Sequence, residues 1–295
     1  MSTHFTLHGH FCVDASDVQS THDVRIDPES GLCVIGGASP TAAGAVASKI
    51  AVWAIHEPFV IDPLRSACNA LSRAVEQAHL RIAPVTGRAG TGATVAAVRA
   101  SGQWVEVVHV GRCRVYRLNR GHLHRLTEDH TLAHHLERQG RDLEEITAEN
   151  PSLLQVVTES MGAHNHTLKP GHGVFPAHEG DLYVLCNHEV HTVLDEARIA
   201  ELVLERVTDP KWVCDRLIHA ARAAGGQGEL TVACVQITAQ ATEREVLSHS
   251  RTPPPKWLYA PDGLLDPIPG RFTEGAEGRV MVSRALLEAV MGPDL

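Results

Sequence analysis

Residues 182–190 read Leu-Tyr-Val-Leu-Cys-Asn-His-Glu-Val, an apolar run that stops at two groups able to hold a proton or a metal ion, His188 and Glu189. A strand buried on both faces reads as such a run. Ending it on an imidazole beside a carboxylate supplies the parts of a general acid and base, or of a metal site. Twenty histidines are unusual for this length. Three pairs have His-x-His spacing: His8 and His10, His122 and His124, His164 and His166. Alternate residues of a strand share a face, so each pair presents two imidazoles together. No third ligand accompanies them in sequence, and solvated surface is the plainer reading. The same holds for His130 and His134, four apart on an expected helix without a Glu-x-x-His pattern. Gly87 to Gly92 lacks the Gly-Lys-Ser/Thr of a phosphate loop and precedes a strand, and Gly36-Gly37 reads as a turn more than an anion cradle.

The seven cysteines form an odd set with no Cys-x-x-Cys pair, and most sit inside apolar runs. They read as reduced core residues, and the spacing argues against a disulfide framework or a zinc ribbon. With 295 residues, 43% of them apolar, the chain can bury a large core. A net charge of −9 argues against nonspecific attraction to nucleic acid or anionic lipid. No uninterrupted apolar run approaches the roughly 18 residues of a membrane span, and the N-terminus lacks signal-peptide order. A cytoplasmic protein is expected, with neither nucleic acid nor membrane as partner.

The elements that must position these groups come in a mixed order. Strands are expected at Phe5 to Val13 and Leu32 to Ile35, followed by helices at Thr41 to Ile55 and Pro63 to Ile82. Four short apolar runs then form an antiparallel meander: Gly92 to Arg99, Trp104 to Val110, Cys113 to Leu118 and His122 to Leu126. Asp129 or Thr127 can cap a helix from His130 to Gln139, which Gly140 can end. A strand at Asp181 to Cys186, helices at Glu196 to Arg206 and Pro210 to Ala224, and a strand at Leu230 to Ile237 complete the domain. Runs of strands flanked by paired helices predict an α+β fold of packed antiparallel sheets with helices on the outer faces. After residue 238 the texture changes. Residues 239–295 are rich in Pro and Gly turns and end in an amphipathic stretch, Val280 to Met291, that either wraps back on the domain or docks a partner.

The run from Val107 through Val-Gly-Arg-Cys-Arg-Val-Tyr to Leu-Thr-Glu-Asp-His-Thr-Leu132 resembles a motif pair of the PPM (type 2C) metal-dependent protein phosphatases. Gly111, Arg114, Tyr116, Gly121, Leu126, Thr127, Asp129 and His130 fall in register. Leu32 to Ser48 resembles the Asp-Gly-Met-Gly-Gly segment, Gly92-Ala-Thr94 the Gly-Thr-Thr, and Gly225 to Val232 the Gly-Gly-x-Asp-Asn-x-Thr-Val. The resemblance covers most of residues 5–238 and implies a four-layer αββα sandwich, a PPM phosphatase-like domain over residues 1–238.

The family's chemistry rests on a pair of divalent cations held by carboxylates. By the resemblance, Val18 stands where the family has its phosphate-binding Arg, and His22 replaces a Glu before a retained Asp23. Gly37 and Ala38 replace the bridging Asp and its following Gly, His188 and Glu189 replace Asp-Gly, Gly228 and Glu229 replace Asp-Asn, and Arg112 replaces an Asp. This pattern implies a pseudophosphatase without catalytic residues or a resident metal. It would act as a binding, scaffolding or regulatory module for a phosphoprotein, a kinase or an assembly component, with Arg112 and Arg114 as candidate phosphopeptide contacts. The alternative is an enzyme in which His22, Asp23, His188 and Glu189 converge as an acid–base set or a metal site. His22, Asp23 and His188 would then hold zinc or another transition metal in preference to a magnesium or manganese pair.

Overall fold

The structure, a computed structural model, describes residues 5–15, 20–38, 41–62, 69–86, 92–140, 155–162 and 167–239. Sheet A orders β1 (Phe5–Asp14), β10 (Leu230–Ala239), β9 (Leu182–Cys186), β6 (Arg114–Asn119) and β7 (His122–Arg125). Sheet B orders β2 (His22–Asp27), β3 (Leu32–Ala38), β4 (Ala93–Ser101), β5 (Trp104–Val110) and β8 (Gly171–Pro176). All neighbours in both sheets are antiparallel. Helices α1 (Ala42–Ile61) and α2 (Ala70–Thr86) pack on sheet B, where Leu32, Val34, Ile55, Phe59, Leu71 and Ile82 share one buried cluster. On sheet A lie α4 (His188–Val193), α5 (Glu196–Glu205) and α6 (Pro210–Ala223), with Val190, Leu202, Leu217, Val184 and Val232 in a second cluster. A third fills the space between the sheets and includes Ile35, Val98, Tyr183 and Leu185. The αββα sandwich expected from the sequence is the observed one.

Several elements differ from their expected form. The four runs from Gly92 to Leu126 do not make one meander. The turn at Gly111–Cys113 carries the chain from β5 in sheet B to β6 in sheet A, so each sheet receives one hairpin. Helix α1 continues past Ile55 through Pro58, because the buried Phe59 extends its apolar face. Thr41 caps it, accepting from the Gly44 N–H at 3.0 Å. Of the described helices, α1 alone is long and apolar enough to cross a membrane, and most of its apolar side is spent on sheet B and α2. The short helix α3 (Leu132–Arg138) begins later than expected, with Thr131 as its cap. Strands β2 and β8 and helix α4 carry no strong sequence signal and appear only in the structure. Residues 240–295, including the expected amphipathic stretch, lie outside the described residues, as do Cys68, His164 and His166.

One buried polar network ties sheet A to the loop entering β9. Arg117 donates to Asp181 Oδ2 from Nε at 2.8 Å and to the Pro176 carbonyl at 2.9 Å, while Asn119 donates to the other Asp181 oxygen. Both Arg117 and Asp181 are buried. Removing one partner leaves the other charge unpaired in a low-dielectric site. Asp181→Ala is therefore expected to cost about 3–5 kcal/mol, read from the urea midpoint. Arg117→Met combined with Asp181→Leu is expected to recover most of that loss. A cost below about 1 kcal/mol for the single change contradicts the assignment.

Candidate functional site

The end of β9, the start of α4, the loop before β10, the turn between β5 and β6, and strands β2 and β3 meet at one end of the sandwich. There they bring together His22, Gly37, Arg112, His188, Glu189, Gly228 and Glu229. Asn187, 2% exposed, pins the arrangement. Its amide donates to Glu189 Oε2 (2.6 Å) and to the Glu229 carbonyl (2.7 Å), and its Oδ1 accepts from Thr231 N–H (3.1 Å). Both amide N–H groups and one lone pair of Oδ1 are thus used to hold α4 against β10.

Glu229 turns inward. Its Oε1 accepts from the Ser20 hydroxyl, and its Oε2 accepts from the Thr21 N–H at 2.8 Å and the Thr21 hydroxyl at 3.2 Å. Nδ1 of His22 lies 3.5 Å from Oε2, an electrostatic contact too long for a strong hydrogen bond, and Nδ1 has no hydrogen-bond partner among the described residues. Burial opposes the charge on Glu229, yet the nearby imidazole and the Ser20 and Thr21 donors outweigh it and hold its carboxyl below the usual range.

His22 is paired across the β2–β3 ladder with Gly37, and its ring lies over that residue. A Cβ at position 37 would meet His22 Cδ2 at 2.3 Å and Nε2 at 2.5 Å. No side chain fits there while the His22 ring stays in place. The Gly37 carbonyl also accepts from the Thr94 hydroxyl at 3.2 Å. Ala38 follows at the strand's end, paired with Ala93. Gly228 sits at φ +80°, a conformation in which side chains other than Gly and occasionally Asn or Asp are strained.

Around His188 the polarity is set by Arg112, whose Nη1 lies 2.7 Å from His188 Nε2. A guanidinium is always a donor, so Nε2 accepts and the ring proton sits on Nδ1, facing Glu189 Oε1 at 3.9 Å. Burial again opposes the Glu189 charge, and His188, its own backbone N–H and His22 hold its carboxyl below the usual range. The neighbouring His191 donates from Nε2 to the Arg112 carbonyl at 2.8 Å and meets the His188 ring edge-on at 5.4 Å. Burial and the Arg114 charge push its pKa down to about 4, so it is neutral at pH 7.

Asp23 does not join the others. Successive residues of β2 face opposite sides, and Asp23 points toward α1, whose Lys49 and His56 act on it electrostatically together with Arg25. The expected convergence of His22, Asp23 and His188 on one cation is therefore corrected: the pleat separates the first two. Lys49 also feels Glu229, so one ammonium serves the carboxylates on both sides of the strand, while burial lowers its pKa. Arg114 grips Asp129 with two bonds of 2.8 Å, leaving Arg112 as the guanidinium at the pocket. Val18 lies outside the described residues. His130 precedes α3, accepts from the Gly111 N–H at 3.2 Å and lies against the His109 ring at a tilt, centroids 4.5 Å apart, so it makes no helical pair with His134. Sequence reasoning did not find Asn187, Lys49, His191, Ser20 or Thr21. A polar residue ending an apolar strand was the one signal available for Asn187.

The titration of this region has opposed parts. Burial raises the Asp23 pKa to about 6, above the roughly 3.9 of an unfolded aspartate. The folded state then binds more protons between those values, so this group's contribution to stability falls as pH rises from about 4 to about 6. His130, which burial and His109 push down to about 4, and His191 act in the opposite sense. Asp23→Asn removes only the first effect. Urea midpoints from pH 4 to 7 are expected to show the variant gaining on the parent as pH rises, by about 2–3 kcal/mol at pH 7; a gap independent of pH contradicts this.

No protein-family model matches the chain. The serine/threonine protein phosphatase PstP of Mycobacterium tuberculosis is 28% identical over 211 residues, 70% of this chain and 40% of PstP. The serine/threonine phosphatase stp of Listeria innocua is 30% identical over 148 residues, 50% of this chain and 57% of its own length. The chain thus spans about half the length of the curated relatives it matches. The PPM Ser-Thr phosphatase MsPP of Mycobacterium smegmatis, solved in complex with cacodylate, superposes with a TM-score of 0.62 at 26% identity over 78% of this chain and 97% of that one. The catalytic domain of PstP, in complex with two manganese ions, gives 0.67 at 23% identity over 79% and 99%. That complex overturns the expectation about the metal: the cation with a precedent on this fold is manganese, as a pair, in place of zinc or another transition metal. Sequence relatives, element order and sheet topology agree: the chain has the fold of the PPM protein phosphatases and is similar in sequence to members of that family.

Proposed function

We propose that this PPM domain binds and regulates without turning over phosphoester, as a cytoplasmic pseudophosphatase. The observation that carries this reading is at position 37, where the resemblance asks for a bridging aspartate. The residue is glycine and the His22 ring occupies the space its side chain would need. The other pocket groups support it. A manganese pair wants several carboxylate oxygens in near-octahedral geometry. Here Glu229 already accepts from Ser20 and Thr21, Glu189 from Asn187, and His188 Nε2 from Arg112. These atoms are committed to partners in the chain, which leaves a buried imidazole nitrogen, His22 Nδ1, in place of a set of carboxylate oxygens, so the residues present fit a manganese pair poorly.

The partner on this reading is a protein: a phosphoprotein, a kinase or an assembly component, as suits a domain whose relatives are named serine/threonine phosphatases. Arg112 is the cationic contact at the pocket for a phosphorylated side chain. A second reading, in which the His and carboxylate groups act as an acid–base enzyme, draws on those same relatives. Against it stands the Arg112 hydrogen bond, which occupies the nitrogen His188 would use as a base.

Hydrolysis of p-nitrophenyl phosphate and of a phosphothreonine peptide, with manganese added, tests the proposal. Turnover is expected at least about 1000-fold below an active PPM domain assayed beside it, since metal activation of water is missing. Manganese-dependent turnover within about tenfold of that domain overturns the proposal.

A further inference from the structure

A second group of metal-ligating side chains lies on β1 and α6, and none of its members is among the pocket residues named above. His10, Cys12 and Asp215 each bring one ligand atom to a common point, all within 4.8 Å of one another. His10 and Cys12 are two apart on β1 and so share a face of this edge strand. Helix α6 packs across that face, with the Cys214 thiol donating to the His10 carbonyl at 3.2 Å, and it delivers Asp215 at the rim. The Cys12 thiol donates to Asp215 Oδ1 at 2.8 Å. Lys211 holds the other oxygen, Oδ2, at 2.6 Å, so the carboxylate is oriented with Oδ1 toward the sulfur.

We propose that His10, Cys12 and Asp215 form a binding site for a thiolate-accepting divalent cation. The thiol proton now sits between the two atoms such a cation would bridge. Binding releases that proton to solvent and leaves Sγ, Oδ1 and an imidazole nitrogen as three ligands, with water as the fourth. Tetrahedral coordination sets ligand atoms about 3.3–3.6 Å apart, so Sγ and Oδ1, now 2.8 Å apart, open by somewhat under an ångström once the proton between them leaves, and the imidazole nitrogen, within 4.8 Å of both, adjusts by side-chain rotation. A thiolate and an imidazole favour softer cations than the all-oxygen shells that magnesium and calcium take. His10 and Cys12 are half-buried and Asp215 is exposed, which gives an ion a path from solvent. The inference does not depend on what the pocket between the sheets does.

Titration of the untagged full chain with Co2+ alone tests it, because a cobalt–thiolate bond gives a charge-transfer absorption that imidazole and carboxylate cannot. One equivalent of cobalt is expected to produce the band, and Cys12→Ser to abolish it. His10→Gln and Asp215→Asn, checked for folding by circular dichroism, are expected to weaken binding about tenfold or more. The band should survive His122→Gln with His124→Gln, an exposed pair elsewhere in sheet A. Absence of a band in the unaltered protein overturns the proposal, as does a band that persists in Cys12→Ser.

Discussion

The pocket is organised by one cross-strand pair. Register between β2 and β3 sets His22 opposite Gly37, and a register cannot slip by one residue without turning every side chain of the strand to the other face. Val24 and Ile26 of β2 pack toward the core between the sheets, so they anchor that register energetically. Once it is set, the His22 imidazole must lie over position 37, and only a residue without a side chain leaves room for it. The same imidazole then faces Glu229, which in turn reaches Ser20 and Thr21 on the approach to β2. A hydrophobic constraint in the core thereby decides a polar arrangement at the edge.

Charge in this region is balanced by cations that belong to the chain. Lys49 on α1 serves Asp23 and Glu229, and Arg112 stands over His188 and its neighbour Glu189. Buried carboxylates are tolerated only when such partners are present. In the solved PstP catalytic domain two manganese ions are bound. On the proposed reading of this chain, side-chain cations and hydrogen-bond donors satisfy the acids that remain, and the scaffold keeps its shape without asking for an ion. The separation of fold from site follows from where the stabilising groups lie: three apolar clusters hold the layers, while the pocket groups sit at the end of the sandwich.

Much of the fold was legible because its apolar periods are strong. The runs at Trp104 to Val110 and Leu182 to Cys186, and the amphipathic helix from Pro210, needed no more than hydrophobic alternation or helical spacing. Strand β2 was not legible. His-Asp-Val-Arg-Ile-Asp alternates, but its polar face is covered by α1, with Asp27 bonded to His56 at 3.1 Å, so charges that look solvent-facing are partly enclosed. Strand β8 escaped because two glycines and a proline in six residues are tolerated on a sheet edge. At the site, the residue types at 22, 37, 188, 189, 228 and 229 were readable from the resemblance. Their pairing was not. That His22 and Asp23 diverge, that Lys49 comes in from a helix, and that the His10 and Cys12 face meets Asp215 all depend on packing between segments far apart in sequence.

The most direct test of this account is a double-mutant cycle between positions 22 and 37, with stability read from urea unfolding. Gly37→Ala in the parent is expected to cost about 2 kcal/mol or more, because the new Cβ collides with the buried His22 ring. In a His22→Ala background the same change is expected to be nearly neutral, a coupling of about 1–3 kcal/mol. Equal costs in both backgrounds would contradict the claim that the imidazole fills the space above Gly37.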